Sequence, residues 1–209
     1  MDDTETAARR AAKATAPGYV LDRATAVPAL VGRHEDLLFI TGLGGTSRDV
    51  ARITGDGPSG YLLGGAMGAA CMMGLGLALA RPDKRILVLT GDGEMLMSLG
   101  ALATIAVVNP PNLAIICVDN GHYGETGYQR SHTGHGVDLE RIAAGAGIRA
   151  TRTIADASGL EDGSRFIRQG NGTSFVLLRV APTEPPAYKR SLDASACRDR
   201  FRAALLGSR

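Results

Sequence analysis

Apolar positions follow two alternating rhythms along this chain. Residues 86–90 (ILVLT) and 113–118 (LAIICV) are short runs apolar on both faces, the pattern of strands covered by helices on each side of a parallel sheet. Residues 36–41 and 175–180 (FVLLRV) read as further strands. Helical spacing runs through 21–32 (Leu21, Ala24, Val27, Leu30, Val31), with Pro28 inside it, and again through 95–108. A third helix is expected over 139–146, with Asp138 as its N-cap. A terminal amphipathic helix follows a Pro-rich turn, over 194–206. A loop is expected at 42–47 and a longer one, rich in Gly, His and Thr, at 121–136. Strand and helix alternate, so the predicted fold is α/β: a doubly wound, mainly parallel sheet with helices on both faces. Residues 1–18 are polar and alanine-rich and read as a mobile arm, which leaves 19–209 as a single domain.

Residues 61–80 (YLLGGAMGAACMMGLGLALA) carry no charge over twenty positions, the length of a membrane span. Five of them are glycine: Gly64, Gly65, Gly68, Gly74 and Gly76. The competing reading is a helix buried on all sides, with small residues where another backbone packs close. No second such stretch exists and the flanks carry no orientation signal, so the buried helix, near a ligand or a subunit interface, is preferred.

Composition narrows the picture. The 209 residues are 44% hydrophobic and 21% charged, enough apolar mass for a real core, which excludes disorder and a disulfide-knit miniprotein. Lys plus Arg is 23 against 21 for Asp plus Glu, with no basic stripe, so nucleic acid is not the expected partner. Cys71, Cys117 and Cys197 form an odd set without CxxC spacing, which suits reduced thiols. The opening carries Asp2, Asp3 and Glu5 and no apolar core, so no signal peptide is read there and the expected location is cytoplasmic.

In a doubly wound sheet, ligands bind outside the carboxyl ends of the strands. Two consecutive strands here end in Gly91-Asp92-Gly93 and in Asn120. An Asp carboxylate and an Asn amide oxygen are hard donors suited to Mg²⁺ or Ca²⁺, and Mg²⁺ commonly completes its shell with phosphate oxygens and water. Gly93 precedes a helix starting near Met95 whose free N–H groups can take a phosphate. No P-loop lysine exists, so the metal would neutralise that phosphate. The plainer reading is that Asp92 caps the helix and the glycines only turn the chain. A second triplet, Gly55-Asp56-Gly57, and the near-fingerprint of residues 145–150 lack a dinucleotide-binding context and are read as decoys. His122, His132 and His135 fall within fourteen residues but lack further ligands at zinc spacing. As loop residues, His132, His135 and Glu125 could contact substrate or simply face solvent.

From Gly93, 26 residues intervene before Asn120, and GDG-x26-N resembles the signature of the thiamine-diphosphate-dependent enzymes. That resemblance implies that Asp92, Asn120 and the main-chain carbonyl of His122 hold Mg²⁺. It places Gly64-Gly65-Ala66-Met67-Gly68 at the family's glycine-rich turn. There the Gly65 carbonyl receives the cofactor's 4′-amino group, and Met67 props the cofactor into its V shape, unless Met67 is plain core. Thr46 and Ser47 correspond to diphosphate contacts, and Gly93, Glu94 and Tyr123 complete the implied cofactor set. Residues 119–127 (DNGHYGETG), 131–133 (SHT), 180–186 (VAPTEPP) and 190–193 (RSLD) resemble the β chain of the phosphonopyruvate/sulfopyruvate decarboxylases. The resemblance runs from about Leu21 to the C-terminus, with Asp119-Asn120 where Asn-Asn is common elsewhere. It implies the diphosphate- and Mg²⁺-binding subunit of a split 2-oxo acid decarboxylase that self-associates. A separate pyrimidine-binding α subunit would supply the activating glutamate. The substrate would be a small anionic 2-oxo acid, with Glu125 and His132 as substrate-loop candidates. Two rivals stand: a carboligase or acyl-transfer enzyme of the acetolactate-synthase kind, and a non-enzymatic Mg²⁺ or nucleotide-binding module.

Overall fold

The computed structural model describes residues 18–189 and 191–206, so the arm expected at 1–18 lies, but for Gly18, outside the described residues. In chain order the strands are β1 (Leu37–Leu43), β2 (Gly60–Gly64), β3 (Arg85–Gly91), β4 (Leu113–Asp119), β5 (His122–Tyr123), β6 (Gln129–Arg130), β7 (Ala150–Ile154) and β8 (Ser174–Arg179). The helices are α1 (Arg23–Val31), α2 (Gly45–Thr54), α3 (Ala70–Ala80), α4 (Asp92–Met97), α5 (Gly100–Val108), α6 (Leu139–Gly145), α7 (Leu160–Phe166) and α8 (Ala194–Leu206). Six strands form one sheet in the order β2-β1-β3-β4-β8-β7, every neighbouring pair parallel, while β5 and β6 make a separate antiparallel hairpin.

The double apolar rhythm is explained by two cores. On β3, Leu87 and Leu89 enter one core and Ile86 and Val88 the other; on β4, Ala114 and Ile116 oppose Ile115 and Cys117 in the same way. Helices α1, α2 and α7 cover the first face, and α3, α5 and α6 cover the second. A strand buried on both faces has no polar side to show, which is why the alternation of apolar and polar residues is missing. The order reverses at the middle of the sheet. From β1 the chain moves outward to β2, then returns past β1 to β3 and continues outward the other way. The crevice between the carboxyl ends of β1 and β3 is therefore the topological switch point, where such sheets receive ligands.

Local chemistry accounts for the helix ends. Asp22 caps α1 by accepting from the Ala24 amide at 3.1 Å, and Asp138 caps α6 by accepting from Glu140 and Arg141. Pro28 sits within α1 and cannot bond the Ala24 carbonyl one turn back. That carbonyl accepts instead from Arg52 Nη1 at 3.2 Å, so the helix continues through the proline.

Several expectations are corrected. Residues 42–47 are not a loop: β1 continues to Leu43 and α2 begins at Gly45, which puts Thr46 and Ser47 in a helical first turn. The uncharged run 61–80 is not one helix; it divides into β2, a turn, and the eleven-residue α3. Among the described residues no helix is long and apolar enough to cross a membrane. Gly64 and Gly68 take positive φ (71° and 86°) to make that turn, so their spacing serves backbone conformation. Gly74 does mark a close approach, since a Cβ there would meet Val88 Cγ2 at 2.2 Å. The buried reading of this stretch holds for one face only, because Met72, Met73 and Leu79 are exposed. The helix expected from Met95 starts at Asp92 and is interrupted at Ser98 and Leu99. The Gly55-Asp56-Gly57 triplet ends α2, and Asp56 anchors the C-terminal segment by accepting from Ser191 N and Arg200 Nη2.

Candidate active site

A cavity of about 280 Å³ opens at the switch point, walled by the ends of β1, β3 and β4 and roofed by the β5–β6 hairpin. Its floor is acidic and deeply buried. Strand β3 ends by delivering Asp92 into the first turn of α4, where it is 4% exposed. Ser131 Oγ donates to Asp92 Oδ2 at 2.5 Å, and Thr133 Oγ1 lies 3.1 Å from the same oxygen; Oδ1 accepts from neither. In the adjacent strand Asp119 accepts from Tyr19 O–H at 2.9 Å, from the Gly121 amide at 2.9 Å and from Thr133 Oγ1 at 2.6 Å.

Thr133 has one hydroxyl proton for two carboxylates, so the two acids share a short supply of donors. Burial raises both carboxyls above the ordinary range. Asp92 is pushed up to about 6, mainly by burial and then by the charge of Asp119. Burial and the same neighbouring charge hold the Tyr19 phenol protonated well above its usual range.

Asn120 follows on the same strand end. Its Oδ1 accepts from the His122 amide at 3.0 Å, closing an Asx turn that presents the next carbonyls. His122 Nδ1 lies 2.9 Å from the Asn120 carbonyl oxygen, which can only accept; Nδ1 therefore carries the proton. His122 Nε2 is buried and has no hydrogen-bond partner among the described residues. Glu94, 5% exposed, accepts from the Gly68 amide at 3.1 Å through Oε1, while Oε2 has no partner. Burial raises this carboxyl too, against the pull of its hydrogen bonds. The mouth carries Arg48 and Glu125, whose side chains are 38% and 47% exposed.

Most residues singled out from the sequence converge here. Thr46, Met67, Asp92, Gly93, Glu94, Asn120, His122, Tyr123 and Glu125 all line the cavity. Ser47 and Gly65 do not. The Ser47 hydroxyl turns inward and donates to the Gly42 carbonyl at 2.5 Å, and Gly65 is exposed on the turn after β2. His132 is exposed and reaches the cavity only through Tyr123, whose hydroxyl lies 3.3 Å from its Nδ1. His135 is exposed as well.

Residues 42–178 match the family model described as thiamine pyrophosphate enzyme, C-terminal TPP binding domain. The chain belongs to the thiamine pyrophosphate (thiamine diphosphate) enzyme family. It is similar to the sulfopyruvate decarboxylase subunit beta of Methanocaldococcus jannaschii, at 41% identity over 59% of this chain and 63% of that protein. To the protein of the same name from Methanothermobacter thermautotrophicus it is 36% identical over 87% of this chain and 94% of that protein. The phosphonopyruvate decarboxylase of Streptomyces viridochromogenes is 34% identical over 79% of this chain, which spans only 42% of that longer protein. Among solved structures, the thiamine diphosphate-dependent 4-hydroxybenzoylformate decarboxylase of Rhodococcus jostii superposes with a TM-score of 0.62 at 22% identity, over 82% of this chain and 34% of that chain. That likeness supports the fold.

In this TPP-binding domain the family match begins at Gly42, the position whose missing side chain makes room for Glu94, and ends on β8. Several residues of the site carried no assigned role in the sequence. Arg48, Tyr128 and Glu184 line the cavity, and Ser131 and Thr133 hold Asp92 from behind. Arg48 was findable, because it directly follows the Thr46-Ser47 pair that the resemblance placed at the cofactor. Nothing in the spacing of Ser131 and Thr133 announces that their hydroxyls turn back onto a carboxylate some forty residues earlier.

Proposed function

We propose that this TPP-binding domain is the diphosphate- and Mg²⁺-holding half of a two-chain decarboxylase for a small anionic 2-oxo acid. The observation that carries the reading is that Asp92 and Asn120, just past the carboxyl ends of the adjacent parallel strands β3 and β4, line one cavity large enough for a ligand.

The residues present suit the cofactor. Among the described residues no cluster of three His, Cys, Asp or Glu side chains is poised for a metal. A Mg²⁺ ion would instead take mixed oxygens: the Asp92 carboxylate, the Asn120 amide and the His122 carbonyl, with phosphate and water completing the shell. Its charge would relieve the crowding of Asp92 and Asp119 that burial makes costly. Gly93 leaves a cradle, since a Cβ there would strike the Tyr123 ring at 2.6 Å. Gly45 and Thr46, in the first turn of α2, line the same cavity, and their amides would offer donors to phosphate oxygens. Ser47 would help by bracing Gly42 with its hydroxyl. The Gly65 carbonyl and Met67 would seat and tilt the pyrimidine end, Met67 from the cavity wall.

Thiamine diphosphate, when bound, supplies the electron sink for loss of carbon dioxide. Of this chain's residues, Gly45, Thr46 and Gly93 would bind the diphosphate and Asp92 and Asn120 would hold the metal. Of the cavity's carboxylates, Asp92 accepts from hydroxyls through Oδ2 and Glu94 from the Gly68 amide through Oε1, with Glu125 and Glu184 at the exposed rim. The family resemblance assigns the activating glutamate to a separate pyrimidine-binding subunit. The exposed apolar side chains Met72, Met73 and Leu79 of α3, together with exposed Met97 and Val107 on later helices, give that subunit or a second copy a surface to cover. Three free, buried cysteines agree with a cytoplasmic setting.

The test is carbon dioxide release from a panel of 2-oxo acids. We expect no turnover by the chain alone and Mg²⁺-dependent turnover on anionic members once the pyrimidine-binding subunit is added. Robust turnover by this polypeptide alone would disprove the two-chain reading.

A further inference from the structure

The floor of the cavity is crowded with negative charge, yet the proposed substrate is itself an anion. Asp92 and Glu94 line the floor, and Glu125 and Glu184 stand at the rim. Two guanidinium groups line the same space, those of Arg23 and Arg48. Arg23 is already spent. It is buried, and its Nε and Nη2 both bind Asp49 Oδ2, at 2.8 and 2.6 Å. Arg48 is in the opposite condition. Among the described residues its guanidinium pairs with one carboxylate, that of Glu125 at 3.8 Å, outside hydrogen-bond distance, with both side chains substantially exposed. A pair so placed contributes little to stability, so it is easily exchanged for a better ligand.

Position separates the two ends of the cavity. Asp92, the proposed metal ligand, is 4% exposed at the floor, whereas Arg48 at 38% marks the mouth. A diphosphate gripped at the floor leaves the mouth for the molecule that enters last. Glu125 reaches this place from the tip of the β5–β6 hairpin and lies against Gly44, where a Cβ would meet its Oε1 at 3.0 Å. The carboxylate of Glu125 thus occupies the ground beside Arg48 that an incoming acid group would need.

We infer that Arg48 is the receptor for the second acid group of the substrate, the sulfonate or phosphonate beyond the keto carbon, and that Glu125 occupies it until substrate arrives. This inference rests on the decarboxylase reading above and adds the residue that selects the substrate class. A planar guanidinium presents paired donors that match a tetrahedral oxyanion, and such charge-assisted pairs are stronger than the loose contact they replace. Substrate binding is an exchange of one anion for another at Arg48. The displaced Glu125 moves into solvent with its hairpin tip.

The experiment uses the full chain loaded with thiamine diphosphate and Mg²⁺, with its pyrimidine-binding subunit present. Binding of 3-sulfopropanoate and 3-phosphonopropanoate, which lack the keto group and cannot react, is measured by equilibrium dialysis for wild type, Arg48→Gln, Arg48→Lys and Glu125→Gln. Arg48→Gln should weaken both ligands at least tenfold, Arg48→Lys should restore part of the loss, and Glu125→Gln should tighten both severalfold. The ratio of kcat/KM for 3-sulfopyruvate over pyruvate should fall about fifty-fold in Arg48→Gln, with cofactor affinity within twofold of wild type. Equal losses on both substrates together with weakened cofactor binding would overturn the inference and assign Arg48 to the diphosphate. Unaltered affinity for the unreactive dianions in Arg48→Gln would overturn it outright. If the wild-type complex releases no carbon dioxide from any 2-oxo acid while the dianion result holds, the decarboxylase reading fails and the anion receptor stands.

Discussion

A methyl group placed on Gly42 would lie 1.8 Å from Oε1 of Glu94. The carboxylate of Glu94 thus occupies the space that any larger residue at the end of β1 would fill, and the same oxygen accepts from the Gly68 amide across the crevice. One buried side chain ties β1, α4 and the turn that carries Met67. Gly42→Ala should evict Glu94, destabilise the fold by about 1–3 kcal/mol, and cut turnover more than tenfold as the turn loosens. Adding Glu94→Ala should return part of the stability without the activity, as read by denaturant melts and rate assays. Wild-type stability in Gly42→Ala alone would refute this contact.

Asp92 and Asp119 make a second prediction. With Asp92 raised to about 6 from an ordinary 3.8, the metal-free native state binds the pair's extra proton more tightly than the unfolded chain does. Metal-free stability should therefore fall as pH rises from about 4 to 6. Asp92→Asn removes that loss. Measured without metal, the variant should be more stable than wild type by on the order of 1–3 kcal/mol above pH 6, with the gain vanishing toward pH 4. A variant less stable than wild type at pH 7 would show that the carboxylate supports the apo fold.

Met67 separates wedge from core. It is only half-buried and lines the cavity, and its Cε lies 3.6 Å from where a Gly93 Cβ would stand. Met67→Leu should be nearly silent, while Met67→Ala should lower kcat at least tenfold with a cofactor Kd changed less than threefold. Thermal melts of Met67→Ala should stay within a few degrees of wild type. A collapse of the melt would make it a core residue.

Cys71 gives a prediction at alkaline pH. Burial, and secondarily Glu94, push its thiol up to about 12 from 9.0. The native state thus keeps a proton that the unfolded chain releases near pH 9, and the associated stability is complete below about 9 and lost as pH rises toward 12. Native protein at pH 8 should resist thiol reagents at all three cysteines, which are buried. Labelling of Cys71 at the rate of the unfolded chain would contradict this burial.

Much of the site was legible because its chemistry sits at strand ends. Residues 86–90 and 113–118 announced doubly covered strands, and Asp92 and Asn120 follow them directly. The losses have physical causes. Helix α2 (GTSRDVARIT) is short and mostly polar, with glycine at its start, so propensity hid it behind an apparent loop. Edge strand β7 (ATRTI) is short and half-exposed, which hid it too. The uncharged 61–80 run conceals a strand-to-helix switch because both elements are apolar and period alone cannot divide them. Arg48 and the Ser131–Thr133 pair act through tertiary approach, which no local spacing encodes.

Asp92 and its neighbours are proposed to hold the cofactor's diphosphate together with Mg²⁺. Isothermal titration of thiamine diphosphate into the chain, with Mg²⁺ and then with a chelator, tests it most directly when Asp92→Asn is run beside wild type. Wild type should bind only with Mg²⁺ present, and Asp92→Asn should lose affinity at least a hundredfold although it is folded. Equal cofactor affinity in Asp92→Asn and wild type, or binding indifferent to Mg²⁺, would contradict the proposal.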